Sequence, residues 1–360
     1  MTVAEQVAGR RVAWQPLPLL VQLGLTYRCP LRCTHCYASG RTRRAEMTST
    51  QVESLAHRLH DAGTVSVVYS HGENLLRQDF HRIAGVFQEL RLHQTLMSNG
   101  LPIHTAAHAE ALVAAGVRRC LVSVDSPDPQ VHDAVRGRTG AHGRALRAVD
   151  LLVAAGMPVV GFSTAIGPHN HRDVACLVDL AVAHGCTAVS LMPHRDTAPG
   201  DRRNTGGPWD VDRRGTCAAL YEVIVSKRGV IDVYTHDPFM LGLLDDRLDG
   251  DGRRDFIDAN LCNVGTSMVS VDPVGDVRAC NFLPDVHGNV LAEPFAAIWD
   301  RIAQDSSRLR SRIASACSTC GLAMNCGGGC PAHRPDHTVP GCPYRPWTPQ
   351  PAHDATMGAP

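Results

Sequence analysis

Three cysteines, Cys29, Cys33 and Cys36, stand at C-x3-C-x2-C spacing in the run Thr26-Tyr27-Arg28-Cys29-Pro30-Leu31-Arg32-Cys33-Thr34-His35-Cys36-Tyr37. Three thiolates on one short loop suit a four-iron cluster, with one iron left without a protein ligand. Zinc sites more often pair their cysteines as C-x2-C and close a four-ligand shell. An iron with an open position takes a ligand from outside the chain, a substrate or a cofactor. The plainer readings are three reduced surface thiols or half of a zinc site.

A second set lies toward the C-terminus: Cys262, Cys280, Cys317, Cys320, Cys326, Cys330 and Cys342. Gly275 precedes Cys280 by five residues, and Cys317 to Cys330 read C-x2-C-x5-C-x3-C. Seven thiolates are one short of two four-thiolate sites, so two clusters would leave one iron open or held by another residue. One or two structural zinc ions are the alternative, because C-x2-C is also a zinc knuckle. The sequence holds 14 cysteines, and these sets take all but Cys120, Cys176, Cys186 and Cys217. In a reducing cytosol such a count points to metal or catalysis rather than disulfides.

The elements that must carry these residues are read from periodicity. Residues 20–24 form a strand feeding the first cysteine loop. Apolar runs at 65–69, 94–97, 120–124, 159–163 and 188–192 continue the series, with helical spacing at 49–62, 78–91, 106–116, 143–156 and 172–184 between them. Six alternating strands imply an α/β protein with a parallel sheet and right-handed crossovers, and alternation alone could equally describe a doubly wound sheet. Polar and glycine residues gather after the strands, where such sheets place their sites. Residues 195–215 read as a long loop, 216–227 as a helix and 230–234 as a strand. The charged, glycine-rich stretch 245–256 marks a boundary. From 262 the chain is poor in periodic structure and rich in cysteine, as in small domains held by metal rather than by a core.

The chain has 360 residues with 35 basic and 35 acidic side chains, and Lys227 is its one lysine. Zero net charge gives no support for nucleic-acid or membrane-surface binding. No apolar run is long enough to span a bilayer, and the N-terminus lacks a signal-peptide core, so a cytoplasmic location is expected.

With these motifs the sequence resembles the radical S-adenosylmethionine (SAM) superfamily, specifically its members with a SPASM domain. The evidence is C-x3-C-x2-C followed by Tyr37, and the pattern C-x12-G-x4-C … C-x2-C-x5-C-x3-C … C. The resemblance implies a partial (β/α)6, TIM-like barrel over residues 20–215, after an N-terminal arm at 1–19. A connecting segment at 216–258, a cysteine-rich SPASM domain at 259–345 and a disordered tail at 346–360 would follow. Cys29, Cys33 and Cys36 would hold a [4Fe-4S] cluster whose open iron takes SAM, with Tyr37 near the adenine. The family's Gly-Gly-Glu-Pro reads His71-Gly72-Glu73-Asn74 here. Gly72 and Glu73 keep the close backbone approach and the carboxylate, whereas His71 and Asn74 depart. Ser98, Asn99, Ser123, Asp125 and Arg136 fall where the family contacts the ribose or carboxylate of SAM. Cys317, Cys320, Cys326 and Cys342 would hold an outer auxiliary cluster, and Cys262, Cys280 and Cys330 an inner one. No cysteine lies at 263–270, where fuller versions of the domain carry one.

The chemistry so implied is reductive cleavage of SAM to a 5′-deoxyadenosyl radical, which abstracts hydrogen from an unactivated C–H bond. The cofactor carries that chemistry and the protein orients it and excludes water. The electron would come from a flavodoxin- or ferredoxin-type donor. An epimerase needs a hydrogen-donating thiol. Cys120 and Cys186 are expected near strand starts away from the site, Cys176 packed on a helix, and Cys217 within reach of the cavity, with packing as the commoner role of a free cysteine. A dehydrogenase needs a base, for which Asp237 and His236 are candidates; a simple turn at 235–239 is the alternative. The leading expectation is oxidation or epimerisation of a carbohydrate or aminocyclitol, favoured by an N-terminal arm too short for a peptide-docking domain. The alternative is maturation of a ribosomally made peptide by cross-linking or epimerisation. A non-enzymatic metal scaffold is argued against by the complete triplet with Gly72-Glu73.

Overall fold

The computed structural model describes residues 18–38, 44–194, 213–243, 248, 250–260, 262–311, 317, 329, 330 and 332. The first strand, β1 (Leu20–Gly24), leads into the cysteine loop and then α1 (Ser49–Asp61). Thr48 and Gln51 start that helix with a reciprocal capping box. The alternation continues through β2 (Ser66–Ser70), α2 (Phe80–Glu89), β3 (His93–Ser98), α3 (Ala106–Ala114) and β4 (Val117–Ser123). Two helices follow, α4 (Pro129–Arg136) and α5 (Ala141–Ala154), then β5 (Val159–Ile166), α6 (Val174–Ala183), β6 (Ala188–Pro193), α7 (Arg213–Ser226) and β7 (Asp232–Tyr234).

Strands β1 to β7 lie side by side in chain order, each parallel to the next. The sheet stays open, with β7 at one edge, as a partial barrel requires. The six expected strands are present within three residues at either end, and the strand expected at 230–234 is β7. Helix α4 was not anticipated. Asp128 caps it by accepting the N–H of Gln130 at 2.8 Å, Pro129 occupies its first turn, and Gly137 ends it at φ 65°. Its buried face carries His132 and Arg136 beside Val135, so hydrophobic periodicity does not reveal it.

The C-terminal region departs further from expectation. The supposed boundary at 245–256 contains most of a helix, α8 (Gly250–Asn260). Beyond it, β8 (Met268–Val271) pairs in parallel with β1, and β9 (Asp276–Arg278) and β10 (Gly288–Asn289) extend the same sheet in antiparallel fashion. A further helix, α9 (Phe295–Ser311), presents Phe295, Ile298, Trp299 and Ile302 on one face. These side chains join Val269, Val271 and Val277 in the hydrophobic cluster that also holds Val21, Leu23 and Leu55 of the barrel. Apolar residues at i, i+3, i+4 and i+7 were the overlooked signal. The region therefore shares a sheet and a core with the barrel, whatever metal it also holds. Among the described residues, no helix is long and apolar enough to cross a membrane.

Trp299 is fully buried at this junction. Trp299→Ala should cost about 3–5 kcal/mol, the usual range for truncating a buried aromatic. Urea denaturation followed by circular dichroism should show one transition moved to lower denaturant. Two separate transitions, with the second unmoved, would contradict a shared core.

Candidate active site

The first cysteine loop is clamped from two sides. On one side, Gly72 N–H donates to Thr26 O at 3.1 Å and Glu73 N–H to Arg28 O at 2.8 Å. A Cβ on Gly72 would lie 2.5 Å from Thr26 O and 2.6 Å from Arg28 O, so only glycine fits. His71 sits at φ 76°, a left-handed conformation unusual for its type, and its N–H donates to the Tyr37 hydroxyl at 2.7 Å. Asn74 is buried and stitches two strand ends together, accepting from Leu25 N–H at 2.9 Å and donating to Ser70 O at 2.9 Å. Both departures from the family motif thus have structural roles.

Glu73 is buried at the centre of this cluster. Its carboxylate accepts from the Ser98 hydroxyl at 3.1 Å to each oxygen and from Asn99 N–H at 2.8 Å. Burial raises its pKa to about 7, although the hydrogen bonds from Asn99, Ser98 and Leu75 pull the other way. Asn99 Nδ2 in turn points at Cys29 Sγ, 3.6 Å away. Ser98 and Asn99 are therefore engaged in holding Glu73 and, through Asn99, the first cysteine.

On the other side, Arg32 N–H donates to Arg136 O at 3.1 Å and Thr34 N–H to Val135 O at 3.0 Å, fixing the loop to the end of α4. Arg136 Nε lies 2.7 Å from Asp125 Oδ2, a close ion pair without the alignment of a hydrogen bond. Arg136 Nη1 is 3.7 Å from Cys33 Sγ. Burial alone would raise Asp125, but Arg136 first, then His35 and His132, hold its carboxyl well below the usual range. Ala165 N–H also donates to it, at 3.1 Å. Ser123 ends β4 half-buried.

The structure adds residues that sequence reasoning missed. His35 Nε2 lies 3.9 Å from Asp125 Oδ2, and the rings of His35 and His194 are 6.0 Å apart. Burial lowers His35 to about 3, with Asp125 opposing and Arg136, His194 and His169 adding to the shift. These imidazoles come from the cysteine loop, the segment after β5 and the end of β6. His35 Nδ1 and His169 Nε2 are buried without a hydrogen-bond partner, so this part of the mouth can receive a polar group. His35 lay inside the quoted motif; His169 and His194 carried no signal beyond their place after strands.

Tyr37 has structural partners on both sides of the seam between the first cysteine loop and the C-terminal region. Its hydroxyl also accepts from Asn281 Nδ2 at 3.3 Å, and its ring lies 5.1 Å from that of Phe282. It joins the first cysteine loop to the residues beside Cys280. Tyr27 makes a second such link, donating to Asp272 at 2.7 Å.

The donor set fits a thiolate-bound cluster. Cys29 and Cys33 each face a nitrogen donor, as sulfur ligands of iron commonly do. Cys29 is exposed as a residue, yet desolvation of its thiol, helped by Cys33, Glu73 and Cys36, raises it to about 11 against the opposing Leu31 N–H. As iron ligands these cysteines would be held as thiolates. Cys262 and Cys280 are half-buried and pack against the shared core. Cys317 is buried and Cys330 half-buried; Cys320, Cys326 and Cys342 lie outside the described residues.

Cys217 sits on α7 and is buried in the hydrophobic cluster. Asp237 is buried and accepts from Phe239 N–H at 3.1 Å, capping the short 3-10 turn Pro238–Leu243. These surroundings favour packing and capping. Cys120 lies at the middle of β4, not its start, where burial and then the Glu73 charge raise its thiol. Cys176 is exposed on α6, contrary to the packing expected of it.

Two family models match the chain: the radical SAM superfamily over residues 23–181 and the SPASM iron-sulfur cluster-binding domain over residues 262–321. The chain is 30% identical over 326 residues to the mycofactocin maturase MftC of Mycobacterium tuberculosis, covering 88% of this chain and 78% of that protein. It is 28% identical over 342 residues to an AdoMet-dependent heme synthase of Methanosarcina barkeri, covering 88% and 92%. Among solved structures, Streptococcus suis SuiB bound to S-adenosylmethionine superposes with a TM-score of 0.70 at 17% identity, covering 88% of this chain and 73% of that one.

The raised pKa of Glu73 has a consequence for stability. Its carboxyl binds a proton more tightly in the folded SAM-free protein, about 7, than at its ordinary 4.5. The unfolded chain then holds fewer protons between those values, so stability falls as pH rises through that window. Glu73→Gln should remove this fall and raise stability at pH 8 by up to about 3 kcal/mol. Thermal melts of both SAM-free proteins at pH 4.5 and pH 8 check it; the same pH dependence in both would refute the assignment.

Proposed function

Because the chain belongs to the radical SAM superfamily and carries a C-terminal SPASM iron-sulfur domain, we propose that it is a maturase of a ribosomally synthesised peptide, forming a cross-link or inverting a residue. The observation that carries this reading is 30% identity to a maturase along most of both chains. The enzyme uses a [4Fe-4S] cluster with SAM, together with auxiliary clusters. When bound, these supply a 5′-deoxyadenosyl radical able to take hydrogen from an unactivated C–H bond.

In this reading Cys29, Cys33 and Cys36 hold the first cluster. Glu73 accepts the methionyl ammonium, a role supported by its burial: a cation beside it would hold the carboxylate ionised at neutral pH. Gly72 lets the backbone approach closely, and Ser98 and Asn99 hold Glu73 in position. Asp125 and Arg136 neutralise one another beside Cys33 and line the ribose side together with Ser123 and His35. Cys317, Cys320, Cys326 and Cys342 hold an outer auxiliary cluster and Cys262, Cys280 and Cys330 an inner one. A flavodoxin- or ferredoxin-type donor supplies the electron.

A second reading, oxidation of a small molecule, draws support from the similarity to the heme synthase. The carbohydrate or aminocyclitol substrate expected from the sequence is less well supported than the peptide.

Anaerobic incubation with SAM, dithionite and a peptide encoded beside the gene should yield 5′-deoxyadenosine. The peptide should lose two hydrogen atoms, or keep its mass and gain solvent deuterium if epimerised. Cys29→Ala should abolish both products. 5′-Deoxyadenosine without any change in the peptide would favour the small-molecule reading. The reconstituted protein should hold roughly eight to twelve irons per chain, and roughly four would contradict the auxiliary sites.

A further inference from the structure

Arg119 lies near the start of β4 and is half-buried. Successive side chains of a strand alternate between its two faces. Cys120 and Val122 belong to the hydrophobic cluster under the helices, and a Cβ on Gly100 would meet Val122 together with Ala145 and Ala148 of α5. Arg119, Leu121 and Ser123 therefore face the lumen of the partial barrel. There the Arg119 side chain reaches β7, which β5 and β6 separate from β4 in the sheet. Its Nη2 donates to the Tyr234 hydroxyl, and its Cζ lies 4.9 Å from the centre of the same ring. Pairing register sets Tyr234 on one rung with Ser190, Ser163 and Ser123, two residues short of Asp125. The guanidinium is thus held beneath the site mouth.

No carboxylate pairs with it. One N–H of the group has a protein partner among the described residues, the bond to Tyr234. Asp232 is the one acid in strands β1 to β7; it is exposed, and its charge acts on Tyr234 without an ion pair to Arg119. Burial, the largest influence on Tyr234, raises its pKa, so the phenol stays neutral and offers no countercharge. An arginine kept only to close the lumen would end as Arg77 does, on Asp79 and the carbonyls of Leu25 and Met47. Unpaired arginines on the surface are solvated, whereas this one is turned inward and fixed by an aromatic ring. The lumen holds a second unsatisfied group. Gln22, on one rung with Thr95 and Arg119, buries its Oε1 without a hydrogen-bond donor.

We propose that Arg119, positioned by Tyr234, binds a carboxylate of the substrate inside the barrel. A guanidinium fork matches a carboxylate edge to edge, and the ring on its face holds the fork in one orientation. The Gln22 acceptor suits a peptide N–H entering the same lumen. The anchor deepens the maturase reading and rests on it for the source of the carboxylate, either the C-terminus of the precursor peptide or an Asp or Glu side chain within it. Anchoring at this depth would fix which C–H bond stands at the mouth, where the radical forms.

The test measures calorimetric Kd on the anaerobically reconstituted protein with SAM and no reductant. The ligand is the peptide encoded beside the gene in three synthetic forms: with a free C-terminus, with a C-terminal amide, and with its Asp and Glu replaced by Asn and Gln. Wild-type protein should bind about tenfold more weakly to the form that lacks the recognised carboxylate, which identifies its source. Arg119→Gln should bind all three forms alike, with its affinity for SAM unchanged. Tyr234→Phe, which keeps the ring and removes the hydrogen bond, should lose part of the discrimination. Arg118→Gln, at the exposed neighbour on the other face of β4, should keep all of it. Discrimination in Arg119→Gln within about threefold of wild type, or an equal loss of affinity for all three forms, overturns the anchor. If wild-type protein binds none of the peptides, the maturase reading fails, and hippurate against hippuramide judges Arg119 separately. A preference for the acid that Arg119→Gln abolishes supports the anchor; no preference, or one that survives the substitution, overturns it.

Discussion

A carboxylate buried where three segments meet governs this site. Glu73 receives hydrogen bonds from Ser98 and Asn99 at the end of β3, while its own N–H holds Arg28 in the cysteine loop. An ionised group at such a position is expensive unless surrounded by donors, and even these leave its pKa near neutrality. The strand ends and the loop must therefore be in place together, or the carboxylate has no adequate environment. Asn99 carries the constraint onward to Cys29.

The opposite wall is built on a charge pair. Asp125 and Arg136 are both buried, and breaking such a pair leaves an uncompensated charge in the interior. Arg136 also faces Cys33, so the geometry of α4 is passed directly to the loop. The loop is thus held at Cys29 through Glu73 and at Cys33 through Arg136. Gly72 on one side and Gly137 on the other let backbone approach backbone where a Cβ would clash.

The cysteine-rich region is tied into this arrangement rather than appended to it. Parallel pairing of β8 with β1 makes one sheet, and Trp299 closes one core beneath it. Tyr37 and Tyr27 cross the same seam through Asn281 and Asp272. A displacement near Cys280 would therefore be felt at the first cysteine loop through two hydrogen bonds and a shared strand.

Much of this was legible in the residues themselves. The triplet at 29–36 announces its chemistry because thiolate spacing on a short loop is a local property. Strand–helix alternation announces a parallel sheet for the same reason, while the motifs were needed to choose a partial barrel over a doubly wound sheet. Helix α4 escaped notice because its buried face is polar, and its polar residues find partners only in three dimensions. The face of α9 was readable but obscured by the cysteines around it. His169 and His194 could not be joined to His35 from spacing, since no local rule relates a loop after β5 to one after β1. By itself the sequence determined the spacing of the candidate donors, the strand–helix alternation and the family. Tertiary structure alone decided which charges neutralise each other, why Glu73 titrates near neutrality, and that the two cysteine regions share one sheet. Those outcomes depend on distances between remote segments, as in the 245-residue separation closed by the Tyr27–Asp272 hydrogen bond.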